Sequence, residues 1–165
     1  MMVGGGGKIS IMPRGRRRAG RPNTGVPVAM SNDFRSAPLL EAELPIEVLQ
    51  WGDGRFELAS RFEERHLNLA GLAHGGFVAT LLDMALAGGS YADRETPTDW
   101  YGITVSMTVN FVRGTGAGRV TCEGRPVGGG ARTRHVEARL RDAEGTIASA
   151  TGVIKVIERP KPGAG

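Results

Sequence analysis

His74-Gly-Gly-Phe-Val-Ala-Thr-Leu-Leu-Asp83-Met-Ala-Leu-Ala87 is the stretch on which the fold turns, because it alone in this 165-residue chain has the content of a long helix. The helix is expected from His74 to about Tyr91, with Gly88-Gly89 marking a frayed end. Between Phe77 and Ala87 only Thr80 and Asp83 are polar, so the helix should be surrounded by other structure rather than covered on one side. A carboxylate buried in such a run costs several kcal/mol unless it is paired or hydrogen-bonded, which makes Asp83 a candidate for chemistry. At the expected helix start, Gly75 and Gly76 lack side chains where unpaired backbone N–H groups and a partial positive charge suit an oxyanion. Eight residues at about 1.5 Å rise put Asp83 roughly 12 Å from Gly75 along the axis. Either a substrate spans that length or the Asp83 that works with a given Gly75 comes from a second subunit; the second arrangement is favoured.

Outward from the helix the period changes. Ile46 to Trp51 and Arg55 to Phe62 are short alternating runs joined by Gly52-Asp53-Gly54, a hairpin signature. Glu63 to Ala73 has no clean period and reads as a loop. Beyond the helix, Ile103, Val105, Met107, Val109 and Phe111 alternate with Thr104, Ser106, Thr108 and Asn110, which predicts a strand with the apolar set on one face. Further strands are expected at Arg119 to Val127, Thr133 to Asp142 and Thr146 to Ile157. Their turn signals come at hairpin spacing, so the later strands should form an antiparallel meander. Two strands, one helix and four strands make an α+β domain in which one curved sheet wraps one buried helix.

Composition bounds the rest. Residues 1–36 hold seven basic side chains against one acid, a balance of +6, whereas residues 37–165 hold fourteen against sixteen, a balance of −2. The sequence pI of about 9.8 therefore describes the tail rather than the domain. Residues 1–36, rich in Gly, Arg and Pro, are expected to be a disordered basic tail, residues 37–158 the folded domain and residues 159–165 a flexible C-terminal tail. Met30 is a candidate start of the native chain. The tail lacks the apolar stretch of a secretory signal, and no run of eighteen apolar residues exists, so a cytoplasmic protein with no membrane partner is expected. An Arg-rich arm can neutralise phosphates, but the near-neutral domain gives no support for a specific nucleic-acid partner. The single cysteine, Cys122, forms no internal disulfide and is expected in the core; no metal cluster is visible.

The motif His66-Leu-Asn68-Leu-Ala-Gly71-Leu-Ala-His74-Gly75-Gly76, followed by Leu81-Leu-Asp83, resembles the signature of hotdog-fold acyl-CoA thioesterases of the PaaI-like group, related more distantly to 4-hydroxybenzoyl-CoA thioesterase. The resemblance continues through Val105 to Arg113 and Ala148 to Gly152, covering roughly Ile46 to Ile157. It implies a six-stranded antiparallel sheet wrapped around one long central helix, assembled as a homodimer or homotetramer with active sites at the dimer interface. It further implies hydrolysis of an acyl-CoA thioester to free acid and CoA, with Asp83 as general base or nucleophile and the Gly75 N–H polarising the thioester carbonyl. Asn68 and His74 would help hold the thioester and the loop. Thr104 falls where some relatives place a serine that orients the attacking water. Gly76, Arg113, Arg132 and Arg134 are the implied substrate- and CoA-binding positions, although Ala131 and Arg134 depart from the residue types usual there. No cofactor is implied, coenzyme A being part of the substrate. Oxyanion stabilisation by one good donor is worth about 2.7–4 kcal/mol, and a partly desolvated carboxylate supports either base or nucleophilic catalysis. A non-catalytic hotdog acyl-CoA-binding or regulatory protein is the alternative; pure binding gains nothing from a costly carboxylate at Asp83.

Overall fold

The structure is a computed structural model and describes residues 42–160. The expected tails, including residues 1–36 and the candidate start at Met30, lie outside the described residues, apart from Arg159 and Pro160 of the C-terminal segment. The domain opens with a hairpin of β1 (Glu47–Gly52) and β2 (Arg55–Phe62). Gly52 pairs with Arg55, so Asp53-Gly54 forms a two-residue turn, and φ values of 53° and 72° give it the positive dihedrals such turns require. A single 3-10 turn, Glu64–His66, lies in the loop that leads to the helix α1 (Gly75–Gly89). Four strands follow: β3 (Trp100–Phe111), β4 (Gly118–Gly129), β5 (Thr133–Asp142) and β6 (Gly145–Glu158). All pairings are antiparallel and the order across the sheet is β1-β2-β4-β5-β6-β3. This is the α+β hotdog arrangement, with α1 lying against β2 through β6.

Three expectations are corrected. The later strands do not form one meander: β4, β5 and β6 do, but β3 pairs with β6 at the sheet edge. The segment between Phe111 and Gly118 is thus a crossover rather than a hairpin turn. It puts the small, buried residues Val120, Cys122 and Gly124 of β4 beneath the helix. Second, Gly88-Gly89 is not a frayed end. A Cβ on Gly88 would lie 2.6 Å from the Phe56 ring, one on Gly89 2.7 Å from the Gly124 carbonyl carbon, and one on Gly124 1.9 Å from Ala85 O. Gly89 and Gly124 let the helix C-terminal half approach β4 at backbone contact, and Gly88 makes room for the Phe56 ring of β2. Third, in this chain the sheet covers one side of α1 only. Leu81, Leu82, Ala85 and Leu86 are fully buried, whereas Thr80, Asp83 and Ala87 form a half-buried strip.

The core is completed by Phe56, Leu58, Phe62, Leu140, Ile147 and Ile154, all essentially without exposed surface. Cys122 belongs to it as a free thiol, and burial pushes its ionisation well above the ordinary thiol range. No helix among the described residues is long and apolar enough to cross a membrane.

Candidate active site

The helix start is built by His74. Its backbone is extended, its Nδ1 accepts from Gly76 N–H at 3.1 Å, and its carbonyl oxygen accepts from Phe77 and Val78 N–H at 3.0 and 3.3 Å. Three of the first four helical amides are satisfied in this way. The remaining one, Gly75 N–H, has no acceptor among the described residues and lines a cavity of about 330 Å³. Helix packing does not explain a glycine at this position. A Cβ on Gly75 would meet only the Phe111 ring at 3.4 Å, an ordinary contact, and one on Gly76 would meet only the His74 ring at 3.3 Å.

Asn68 shapes the loop beneath this cavity. Its Oδ1 accepts from Ala70 N–H at 2.9 Å and Leu72 N–H at 3.3 Å, while Gly71 turns the chain at φ 73°. His66, quoted only as part of the motif, proves to be a buried organiser of the same loop. Its Nδ1 accepts from Glu63 N–H at 2.8 Å, its carbonyl oxygen accepts from His74 N–H at 2.8 Å, and its ring lies 4.8 Å from that of Phe77. The loop is tied to the β3–β4 crossover by Ala73 N–H donating to Thr115 O at 2.8 Å.

Asp83, two turns along α1, is half-buried and does not line the Gly75 cavity. Its Oδ1 accepts from Thr104 Oγ1 at 2.6 Å. The alternation read from the sequence would turn Thr104 away from the apolar set, and the structure overturns it. A bulge between Thr104 and Ser106 leaves Val105 unpaired, so Thr104, opposite the buried Ile154, faces the helix as Met107 and Val109 do. Ile103 and Val105 are instead exposed along the free edge of the sheet. Nothing in the local sequence signals that bulge.

The basic candidates separate. Arg113 lines the Gly75 cavity, but its guanidinium is engaged by Asp142, by Glu144 at 3.5 Å and by Gly114 O at 3.1 Å. Thr115 Oγ1 donates to the other Asp142 oxygen at 2.8 Å. The Arg113 guanidinium, joined by Thr115, holds the Asp142 carboxyl down at about 2. Arg134 is on the helix-facing side of β5, as Val136, Ala138 and Leu140 are, but pairs with Asp93 in the segment after the helix C-terminus. Arg132 is exposed nearby. Arg132 and Arg134 thus lie at the opposite end of the chain's own helix from Gly75. Among the described residues, no group of three His, Cys, Asp or Glu is placed to hold a metal ion.

Set beside known proteins, residues 70–149 match the family model described as the Thioesterase superfamily. A Pseudomonas aeruginosa protein named "Putative esterase PA0474" is 34% identical over 132 residues, 78% of this chain and 95% of that protein. Among solved structures, a mutant of the phenylacetic acid degradation protein PaaI from Thermus thermophilus is 29% identical, with a TM-score of 0.62 over 72% of this chain and 97% of that one. The Streptococcus mutans protein smu.793, solved bound to acetyl CoA, shares the fold at 23% identity, with a TM-score of 0.61 over 70% of this chain and 91% of that one.

Proposed function

The chain belongs to the thioesterase superfamily, and we propose that it hydrolyses an acyl-CoA thioester to the free acid and CoA across the interface of a homodimer. One observation supports the reading: a single helix carries the two candidate groups, and they address different spaces. Gly75 N–H opens unpaired into one cavity, while Asp83 stands outside that cavity, held by Thr104. A second copy brings the two elements together. The edge strand β3 suits that assembly, since its outer side presents Ile103 and Val105 to solvent beside the Asp83–Thr104 pair. Homodimer and homotetramer are both compatible with it.

In this mechanism the thioester carbonyl oxygen accepts from Gly75 N–H, which gains strength as negative charge develops on that oxygen. The partial positive charge at the start of α1 adds to the same effect. Asp83 of the partner subunit takes a proton from water as that water attacks, or attacks the carbonyl carbon itself; Thr104 orients the carboxylate in either case. The thiolate of CoA leaves, and the tetrahedral intermediate collapses to the acid or to an anhydride that water then opens. His74 and Asn68 act through the backbone they hold, one fixing the helix start and the other the loop beneath it. Gly76 keeps the approach to that helix start open. Arg132 and Arg134 are the proposed nucleotide contacts, and Arg113 borders the acyl side of the carbonyl. No cofactor enters the scheme, since CoA is part of the substrate; the acetyl CoA held by the Streptococcus mutans protein is compatible with that choice.

Release of free thiol from a panel of acyl-CoAs by wild type and Asp83→Asn tests the proposal. Turnover by wild type and a fall of at least a hundredfold in the variant are expected. Tight acyl-CoA binding without turnover would make the protein a hotdog acyl-CoA-binding regulator instead, and equal rates in both forms would remove Asp83 from the mechanism.

A further inference from the structure

The peptide that carries Gly75 N–H is planar and also contains the His74 carbonyl, so whatever holds His74 sets where that N–H points. Two neighbouring amides anchor this stretch to different segments. His74 N–H donates to His66 O at 2.8 Å, and Ala73 N–H donates to Thr115 O at 2.8 Å. The first anchor is local, whereas the second lies far along the chain, in the β3–β4 crossover. By composition that crossover is a poor anchor. Residues 112–117 belong to no strand and include Gly114 and Gly116, whose backbone freedom would let the Thr115 carbonyl wander.

Its position is fixed from outside, by one carboxylate. Asp142, at the β5–β6 turn, accepts from Arg113 on Oδ1 and from Thr115 Oγ1 on Oδ2, the latter at 2.8 Å, and so holds the crossover on either side of Gly114. Asp142 is itself held: its Oδ1 also accepts from Glu144 N–H at 2.8 Å, and it pairs with Gly145 in the β5–β6 ladder. Leu72 fills the space that Gly114 leaves, where a Cβ would lie 2.7 Å from it, so the crossover and the loop before the helix fit closely. Because the Asp142 carboxyl is held at about 2, the strap stays charged throughout the neutral range. A carboxylate kept for stability alone would be served by Arg113. Its second oxygen goes instead to the crossover residue whose carbonyl holds Ala73.

We propose that Asp142 and Thr115 are positioning residues for the oxyanion donor: through Thr115 O and Ala73 N–H, the β5–β6 turn fixes the direction of Gly75 N–H. This rests on the thioesterase reading and deepens it. A displacement of about 1 Å at a catalytic group costs on the order of a hundredfold in rate, and a hydrogen bond weakens steeply as its angle closes. Loosening the strap should therefore lower kcat while leaving thioester binding largely intact. Thr115 also lines the Gly75 cavity, so KM is the control for direct contact.

The test is thiol release from acetyl-, hexanoyl- and phenylacetyl-CoA by wild type, Thr115→Val, Thr115→Ser, Asp142→Ala and the Thr115→Val/Asp142→Ala double variant, with amide hydrogen exchange at Ala73 read by NMR. Thr115→Val keeps the side-chain shape and the Arg113 contact but deletes the donor, so it stays informative if Asp142→Ala does not fold. It should lower kcat by about tenfold to a hundredfold and hold KM within about threefold. Exchange at Ala73 should speed up by about tenfold, with Leu82 in the helix within about twofold of wild type. Thr115→Ser, which retains the hydroxyl, should recover kcat to within about threefold of wild type. Since Asp142 acts on Thr115, the double variant should match Asp142→Ala within about threefold rather than multiply the two losses. Wild-type kcat in Thr115→Val, a serine variant no better than the valine one, or losses that multiply would overturn the assignment. So would a rise in KM without a fall in kcat, which would make Thr115 a binding contact. Hydrolysis of no member of the panel removes the thioesterase reading and the positioning role with it, whereas hydrolysis with unchanged exchange at Ala73 in Thr115→Val removes this proposal alone.

Discussion

Thr104 Oγ1 donates to Asp83 Oδ1 at 2.6 Å across 21 residues of sequence, and the bulge at Val105 is what turns Thr104 toward the helix. A hydroxyl bonded to a carboxylate orients one of its oxygens and leaves the other to act. Thr104→Val keeps the shape of the side chain and deletes the donor. Its expected effect is a fall in kcat of about tenfold to a hundredfold with KM within about threefold, and a loss of unfolding stability of about 1.5–3 kcal/mol at most, the worth of a hydrogen bond to a charged group. Steady-state kinetics beside urea unfolding checks it; unchanged kcat would reduce the contact to a structural one.

Gly75 and Gly124 should respond in opposite ways to the same substitution. Gly75→Ala meets only the Phe111 ring at an ordinary distance and improves helix propensity by up to about 1 kcal/mol. It should therefore fold at least as well as wild type while losing activity, since the new methyl enters the space of the carbonyl. Gly124→Ala drives a Cβ into Ala85 O and should destabilise the fold by about 3 kcal/mol or more. Thermal unfolding of the two variants, with activity measured on the folded one, separates a glycine kept for ligand approach from one kept for packing.

A charge on the free edge of β3 should separate assembly from folding. Val105 is exposed and unpaired at the bulge, so Val105→Lys removes no core contact in the single chain. Light scattering should find a smaller species than wild type, circular dichroism should find the fold retained, and turnover should fall at least a hundredfold. A monomer with wild-type kcat/KM would defeat the two-subunit active site.

Asp142 should confer acid-sensitive stability. Its carboxyl, held by Arg113 at about 2, is lower than the usual aspartate value of about 3.9. A group depressed in the folded state contributes stability that is present above the unfolded value and lost as pH falls through the folded one. Asp142→Asn should therefore be less stable than wild type at neutral pH, and the gap should close between about pH 4 and about pH 2. Urea unfolding at a series of pH values measures the gap, and a constant difference over that window would show that the Arg113 contact is not its source.

Much of the architecture was legible because it depends on near neighbours in the chain. The Asp53-Gly54 turn follows from residues that tolerate positive φ, and the strand limits of β5 from turn signals at both ends. The motif from Asn68 to Asp83 carried the family and the candidate site for the same reason, its offsets being local. Gly88 and Gly89 were misread because the glycines that break a helix and the glycines that let it pack look alike until Phe56 and Gly124 are seen against them.

By itself, then, the sequence determined which segments are strands, which is the helix, and that Gly75 and Asp83 lie two turns apart. Periodicity and turn chemistry act over a few residues, so they can be read without a partner. The tertiary structure decided that β3 runs beside β6 rather than β4, that Thr104 rather than Ile103 faces the helix, and that Arg113 is occupied by Asp142, 29 residues away. Those outcomes depend on pairing register and on which charges the closed sheet brings together. Both are set by contacts between distant segments that no local pattern encodes.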